Sequence, residues 1–243
     1  SAAIRHPELY HSNGDGTFTK VTRLLGDLSA ASGLLGGPGG NLWGAGFQPG
    51  WVDLDNDGDL DLYVINDYGN DIQPNVLWRN DGPGKDGLWS FVDVSKRSGA
   101  GVPMFGMGLA VGDYDLDGFL DLFVSGYKAD AGDVAADYLG LPHKGEPPRL
   151  YRNQGNGTFL DVAGQTQSDK VLFTMGCNFG DLDNDGWLDF YAGTGDPDYR
   201  SLMPNRMFRN AGGQVFQDVT ASGGFGHLQK GHGVAFGDLD NDG

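Results

Sequence analysis

The chain has 243 residues, enough for one large β domain or two small ones, and its formal net charge is −17. Its single cysteine, Cys177, excludes an intrachain disulfide, and no apolar run approaches the ~20 residues of a membrane-spanning helix. The acidity also disfavours nucleic acid as a partner, because phosphates are bound by patches of Lys and Arg.

The composition favours turns and strands over helices. Among the 33 acidic residues, only Glu8 and Glu146 are glutamate. Aspartate prefers turns and caps, whereas glutamate is a good helix former. Together with 43 glycines, these aspartates predict an all-β fold that is rich in turns.

The first recurring element along the chain is a hairpin. Each copy has an apolar segment, a turn rich in Gly and Asn, and a second apolar segment. This is the pattern of two antiparallel strands joined by a tight turn. The copies cover residues 9–18, 77–91, 150–159 and 207–216.

An acidic loop of nine residues alternates with the hairpins, with Asp at positions 1, 3, 5 and 9 and Gly at position 6. Carboxylates at alternate positions converge on one point only if the backbone curls, and glycine permits that turn. Hard oxygen ligands in this number favour calcium over magnesium or softer metals. The complete copies are loop 1 (53–61), loop 2 (113–121) and loop 3 (181–189), and loop 4 (238–243) is truncated.

The sequence therefore predicts three complete calcium sites and part of a fourth. Side-chain oxygens at positions 1, 3, 5 and 9 and the backbone carbonyl at position 7 are the expected ligands. The predicted residues are Asp53, Asp55, Asp57, Asp59 and Asp61 in loop 1; Asp113, Asp115, Asp117, Phe119 and Asp121 in loop 2; Asp181, Asp183, Asp185, Trp187 and Asp189 in loop 3; and Asp238, Asp240 and Asp242 in loop 4.

Two other interpretations of the loops are weaker. An EF-hand has a bidentate Glu at position 12, where this chain has Val64, Val124 and Ala192. The residues after each complete loop are aromatic or β-branched and favour a strand over a helix. Acidic turns without metal are the second alternative, but clustered carboxylates repel one another unless a cation lies among them.

Two segments interrupt the regular spacing. The Gly-rich stretch 29–40 is an expected surface excursion. The stretch 128–148 includes a short predicted helix at 129–139, which Pro142, Pro147 and Pro148 are expected to end. Both segments are candidate contact loops, since loops on a rigid scaffold often carry recognition. Variable surface insertions without a binding role explain them equally well.

The unit of hairpin plus loop repeats about every 60 residues. Four strands per unit at this period indicate stacked or radial β units. A Gly-rich strand enters each of loops 2 and 3, for example 106–112. Small residues of this kind let backbones crowd together, as they do around the central channel of a propeller.

These features resemble the FG-GAP/VCBS repeat family, which also forms the propeller of integrin α chains. The resemblance rests on Phe179-Gly180-Asp181, Phe236-Gly237-Asp238, the acidic loops and the Tyr-Arg-Asn…Gly-Thr-Phe hairpins. It covers nearly the whole chain, and it is nearest to the ASPIC/UnbV-type and cartilage-acidic-protein-like branch.

The resemblance implies four-stranded antiparallel blades in which the calcium loop joins the first two strands. Propellers of this kind usually have seven blades, which would need roughly 420 residues. We therefore expect an incomplete part of a seven-bladed propeller. The expected division is a half-blade at 8–25, blades at about 43–95, 104–162 and 173–220, and the start of a further blade at 231–243.

The leading functional hypothesis is a secreted interaction module in which calcium is structural. Weak calcium sites fill only where calcium is abundant, so we expect an extracellular, cell-surface or periplasmic location. The expected partner is a protein, the extracellular matrix or a cell surface, with a glycan as a further possibility.

Two other functions stay open at this stage. A lectin-like propeller would use exposed rings from Trp43, Trp51, Trp78, Trp89 or Trp187, although most of these fit a core or strand position better. A polysaccharide-active enzyme is less well supported, because the five histidines share no spacing. Cys177 lies in a predicted strand and fits a buried apolar role better than a nucleophile. We predict that the chain is not an enzyme.

Overall fold

The computed structural model describes residues 8–25, 45–69, 71–85, 87, 89–196 and 202–240. This part of the chain is almost entirely β, as the composition predicts. The predicted excursion at 29–40, Trp43, His6 and the predicted ligand Asp242 lie outside the described residues.

The strands form one two-stranded hairpin and three four-stranded sheets, and all neighbouring strands are antiparallel and consecutive in the chain. The N-terminal hairpin contains β1 (Tyr10–Ser12) and β2 (Phe18–Lys20). Sheet 1 contains β3 (Ala45–Val52), β4 (Asp61–Asp67), β5 (Val76–Pro83) and β6 (Trp89–Asp93). Sheet 2 contains β7 (Gly106–Gly112), β8 (Asp121–Gly126), β9 (Arg149–Asn153) and β10 (Phe159–Asp161), and sheet 3 contains β11 (Thr174–Gly180), β12 (Asp189–Thr194), β13 (Arg206–Asn210) and β14 (Phe216–Asp218).

The helices are short and lie between the strands. They are a 3-10 turn (Thr22–Leu25), α1 (Ser95–Ser98), α2 (Ala131–Tyr138) and α3 (Ala163–Thr166). The helix predicted at 129–139 is confirmed as α2, but the expectation that prolines end it is wrong. It ends before Gly140, whose positive φ of 66° takes the chain out of the helix ahead of Pro142. None of the described helices is long and apolar enough to cross a membrane.

The second strand of sheet 1 contributes to two hydrophobic cores. Every residue of β4 is buried. Leu62 and Val64 pack with Leu25 of the 3-10 turn, whereas Tyr63 and Ile65 pack against sheet 2. Because side chains alternate between the two faces of a strand, one strand connects the N-terminal hairpin to the next sheet.

The same alternation recurs in sheet 2. Leu122 and Val124 of β8 pack toward sheet 1, and Phe123 packs toward sheet 3. The rings of Phe123 and Phe190 lie 4.6 Å apart between their centroids. The sheets therefore stack face to face in chain order, an arrangement that fits the blades of a propeller.

Glycines allow the first strands of successive sheets to approach closely. A Cβ added to Gly108 of β7 would lie 3.0 Å from the Cα of Gly176 in β11. A Cβ added to Gly176 would lie only 1.8 Å from the carbonyl oxygen of His232. The segment around His232 forms no sheet pairing within the described residues, yet it follows β11 as β11 follows β7. It thus lies where the first strand of a further sheet would run.

The close approach at Gly176 predicts a large effect of adding one methyl group. Gly176→Ala should lower the free energy of unfolding by about 1–3 kcal/mol, because the backbone of residue 232 must move. Gly132→Ala is the control, because a Cβ at this position in α2 contacts nothing within 4 Å. It should leave stability unchanged or raise it by about 0.5–1 kcal/mol. Chemical denaturation measures both, and equal effects of the two variants would contradict the packing.

Candidate metal centres

The three complete loops have the same backbone conformation. Glycine at position 6 has φ of 93°, 91° and 90° in loops 1, 2 and 3, so the turn that the sequence predicts is present in each. A second left-handed residue, at position 4, was missed from the sequence. It is Asn56, Leu116 or Asn184, with φ of 58°, 56° and 56°.

Backbone N–H groups hold the carboxylate at position 1 in the curled loop. In loop 1 the N–H groups of Asp57 and Gly58 donate to Asp53 at 3.2 and 3.0 Å. The same two bonds form to Asp113 and to Asp181. The position-5 carboxylate accepts a further bond from the N–H of position 7 in each loop, at 2.9, 3.0 and 3.0 Å. The loops are therefore ordered largely by their own aspartates.

Each loop brings three carboxylates together. In every group, one ligand atom from each of three aspartates lies within 4.8 Å of the others. Positions 1 and 3 belong to all three groups, together with position 5 in loop 1 and position 9 in loops 2 and 3. The groups are Asp53, Asp55 and Asp57; Asp113, Asp115 and Asp121; and Asp181, Asp183 and Asp189.

The remaining predicted ligands do not enter these groups. Asp61, Asp117 and Asp185 lie in the loops but outside the three carboxylate groups. Position 7 was predicted to contribute only a backbone carbonyl, and the bonds described there involve its N–H. Asp238 and Asp240 are exposed. They join no such group among the residues that the structure describes.

The aspartate at position 9 is buried and uses both carboxylate oxygens. Oδ2 of Asp121 accepts from the N–H of Tyr114 at position 2 (3.1 Å), and Oδ1 accepts from the N–H of Asn153 in the hairpin (2.8 Å). Asp61 and Asp189 make the equivalent pairs of bonds. This residue therefore connects each loop to the hairpin of its own sheet.

Burial of these carboxylates disfavours their charged forms. Desolvation raises the pKa of Asp61 to about 6 and that of Asp121 to about 7, and it also raises the pKa of Asp189. The two backbone N–H bonds oppose the shift, and the nearby loop carboxylates add to it. A cation beside the loop would favour the ionised form.

The position-3 carboxylates test whether a metal fits. Oδ1 of Asp55 and Oδ1 of Asp115 are buried and have no hydrogen-bond partner. An unsatisfied buried acceptor costs roughly 1–3 kcal/mol, and more when it is charged. A divalent cation among the three carboxylates would satisfy these oxygens. Because the donors are all oxygen, they fit calcium.

A buried asparagine in each hairpin was missed as part of the site. The side-chain amides of Asn80, Asn153 and Asn210 donate to the position-8 carbonyl of their own loop at 3.0, 3.1 and 3.1 Å. Asn153 and Asn210 also donate to the position-2 carbonyl of the preceding loop, at 2.7 and 2.8 Å. The signal was in the sequence, because the same Tyr-Arg-Asn or related triplet recurs in three hairpins.

Several residues considered for other functions are buried or lie outside the metal-type clusters of the described residues. Trp78 is buried in the core. Cys177 is also buried, and desolvation raises the pKa of its thiol well above the usual range, which disfavours a nucleophilic thiolate. His227 and His232 are exposed, and neither joins a metal-type cluster in the described parts of the chain.

The left-handed position 4 predicts a stabilising substitution. Leu116 is 54% exposed and adopts a conformation that asparagine tolerates better than leucine. Leu116→Asn should raise the free energy of unfolding by about 0.5–1 kcal/mol. Leu60→Asn is the matched control, since Leu60 is 53% exposed in loop 1 and has no positive φ. Urea denaturation compares them, and a gain no larger for Leu116→Asn than for the control would contradict the strain.

Comparison with known proteins agrees with this architecture. The family model described as "FG-GAP-like repeat" matches residues 4–64, 53–124 and 131–192, and each match ends shortly after one of the three complete loops. Cartilage acidic protein 1 of Mus musculus is 27% identical over 203 residues, which are 82% of this chain and 28% of that protein. The chain thus spans less than a third of the length of this relative. Because the three matches cover more than half of the sequence, the chain belongs to the FG-GAP-like repeat family.

Proposed function

We propose that this chain is part of an extracellular β-propeller, stabilised by calcium, that acts as an interaction module for a protein, matrix or cell-surface partner. The observation that best supports the proposal is the threefold recurrence of one loop geometry with three converging carboxylates. The sheet stacking and the family membership support the propeller. The name of the relative refers to cartilage, a tissue rich in extracellular matrix.

Calcium has a structural role in this proposal. Each loop joins the first two strands of a sheet, and its last aspartate binds the hairpin of the same sheet. The hairpin asparagine then reaches the preceding loop, as Asn153 does to Leu54. An ion held by loop 2 would therefore hold together elements of sheets 1 and 2. In a complete propeller, which we propose has seven blades, such ions would stabilise the ring blade by blade.

The partner surface is best placed on the part of the chain that does not repeat. Segment 128–148 interrupts sheet 2 between β8 and β9 and includes α2. It exposes large apolar side chains at Tyr138, Leu139 and Leu141. Exposed apolar residues that are grouped in this way are typical of interaction sites.

A lectin-like function is the second candidate. Trp51 and Trp89 are 47% and 40% exposed on sheet 1, and exposed aromatic rings stack on sugars. Glycan and matrix-protein arrays, each probed in calcium and in chelator, separate the two functions. Binding to glycans alone would favour the lectin, and binding to proteins alone would favour the interaction module.

Removal of calcium should destabilise the protein. Ligand that binds only the folded state adds about 2.7 kcal/mol per site when its concentration is a hundredfold above Kd. We therefore expect the melting temperature to fall by several degrees or more in excess chelator, and to recover with calcium. Magnesium at equal concentration is the control and should restore less. An unchanged melt in chelator would contradict structural calcium.

The raised pKa values predict that calcium binding weakens at low pH. The pKa of Asp61 is about 6 and that of Asp121 about 7 in the folded chain, above the ~3.9 of an unfolded aspartate. Without calcium, the protonated forms of these groups add most to the free energy of unfolding below pH ~4. This contribution is lost as the pH rises through 6 to 7. Asp121 belongs to the carboxylate group of loop 2 and must be ionised to bind calcium, so protons compete with the ion at that loop.

The calcium affinity of loop 2, where the pKa of Asp121 is about 7, should therefore fall by about tenfold or more between pH 7.5 and pH 5.5. The calcium-dependent rise in melting temperature should shrink over the same range. Calorimetric titration at several pH values measures the affinity. The same affinity at both pH values would show that the buried aspartates do not take part.

A further inference from the structure

The arginine before each bridging asparagine lies beside the acidic loop. In sheet 3, Nε of Arg209 donates to Oδ2 of Asp183 (2.5 Å), and Nη2 donates to Oδ2 of Asp185 (2.9 Å). These carboxylates are positions 3 and 5 of loop 3. The guanidinium and a bound cation would therefore share Asp183, which belongs to the carboxylate group of loop 3.

The corresponding contact in sheet 2 is looser. Nε of Arg152 is 3.4 Å from Oδ2 of Asp115 and 4.0 Å from Oδ2 of Asp117. This nitrogen makes no hydrogen bond. Loop 2 thus has an arginine nearby, but it is less tightly engaged than loop 3.

Sheet 1 differs because its arginine has another partner. Nε of Arg79 donates to Oδ1 of Asp81 at 2.6 Å, and no ion pair from Arg79 to loop 1 is found in the described part of the chain. The cause is visible in the sequence. The residue two positions after the arginine is Asp81 in sheet 1 but Gln154 in sheet 2 and Ala211 in sheet 3, and neither of these carries a charge.

We propose that the hairpin arginines set the calcium affinities of the loops, so that loop 1 binds most tightly, loop 2 less tightly and loop 3 most weakly. Asp81 is then an affinity-determining residue that takes the direct ion pair with Arg79, whose guanidinium interacts with Asp55 of loop 1 only at longer range. This inference rests on the proposed calcium binding.

The physical basis is electrostatic. A positive group that pairs with the position-3 carboxylate of a group and with the position-5 carboxylate beside it reduces their attraction for a dication and repels it directly. Loop 1 also carries an additional acidic residue, Asp59 at position 7, where loops 2 and 3 have Phe119 and Trp187. Charge count and arginine placement therefore favour loop 1 independently.

The test removes one arginine or gives it a new partner, and it leaves the residues of the loops unchanged. Arg209→Gln removes the competing charge from loop 3, and Ala211→Asp offers Arg209 the partner that Asp81 gives Arg79. Each should raise the affinity of loop 3 about three- to tenfold. Asp81→Ala should lower the affinity of the tightest site by a similar factor. Arg206→Gln is the matched control on the same strand, because Arg206 pairs with Asp218 rather than with the loop.

Two titrations assign the effects to individual sites. Calorimetry with calcium gives the affinities of all sites together. Terbium luminescence excited through tryptophan reports the loops that lie near a tryptophan, which include loop 3 through Trp187 and also loop 2, because the Trp187 ring lies beside Asp115. Asp181→Asn, which weakens loop 3 alone, identifies the part of the signal that belongs to loop 3. All effects should shrink at high salt, since exposed charges are screened.

The outcomes separate this inference from the proposed function. If calcium binds but Arg209→Gln and Ala211→Asp leave the loop 3 affinity within twofold of the wild type, the arginines do not set it. The same conclusion follows if Arg206→Gln changes the affinity as much as they do. If the wild-type chain binds no calcium at millimolar concentration, the proposed function fails, and this inference fails with it. Three- to tenfold shifts in the expected directions support both.

Discussion

The architecture depends on one buried carboxylate in each sheet. The aspartate at position 9 begins the second strand, and its two oxygens accept N–H groups from its own loop and from the third strand. Removing a carboxylate from water is costly unless donors or cations replace the solvent. Because the two donors come from different elements, the desolvation of the carboxylate is offset only when the loop and the hairpin are both in place. This requirement fixes the turn, the strand that follows it and the hairpin beside it as one unit.

The bridging asparagines extend this unit to the next sheet. Asn153 reaches Leu54, and Asn210 reaches Tyr114, so the loops are connected in the order 1, 2, 3. Asn56 adds a direct bond to the carbonyl of Gly118 at 3.0 Å. Close-packed interiors transmit small displacements because they contain little free space. A cation that tightens one loop would therefore also restrain the carbonyls of its neighbour.

The sequence predicted the regular part of this structure because that part is periodic. The spacing of hairpins and loops was enough to predict all-β sheets of four strands and the curled acidic loop. The short helix α2 was also predicted at nearly its observed bounds, but Gly140 was missed as the residue that takes the chain out of it, because the prolines nearby were the more obvious helix breakers. The left-handed conformation at position 4 of the loops was also not predicted. Two of the three complete loops and the truncated loop 4 have asparagine there, and Leu116 in loop 2 obscured the pattern.

The bridging contacts had no local signature. Asn153 and Leu54 are 99 residues apart, and Asn210 and Tyr114 are 96 residues apart. Such pairs become visible only when the sheets are stacked. The same holds for the arginines, whose partners depend on the residue two positions further on. The recurring triplet indicates that its arginine and asparagine have a common role, but only the stacked sheets show which residues they contact.

Repetition also separates residues that build the scaffold from those that are free for recognition. The aspartates, asparagines and glycines that recur are occupied by the loops, the hairpins and the close approach of the first strands. A partner that bound these residues would have to displace contacts that hold the sheets together. Segment 128–148 packs on the scaffold through Val134 and places the Tyr138 ring beside Arg206 of β13, and it exposes the apolar side chains of Leu139 and Leu141. Recognition is therefore expected where the repeat is broken, and the acidity of the chain is explained mainly by the loops rather than by the partner.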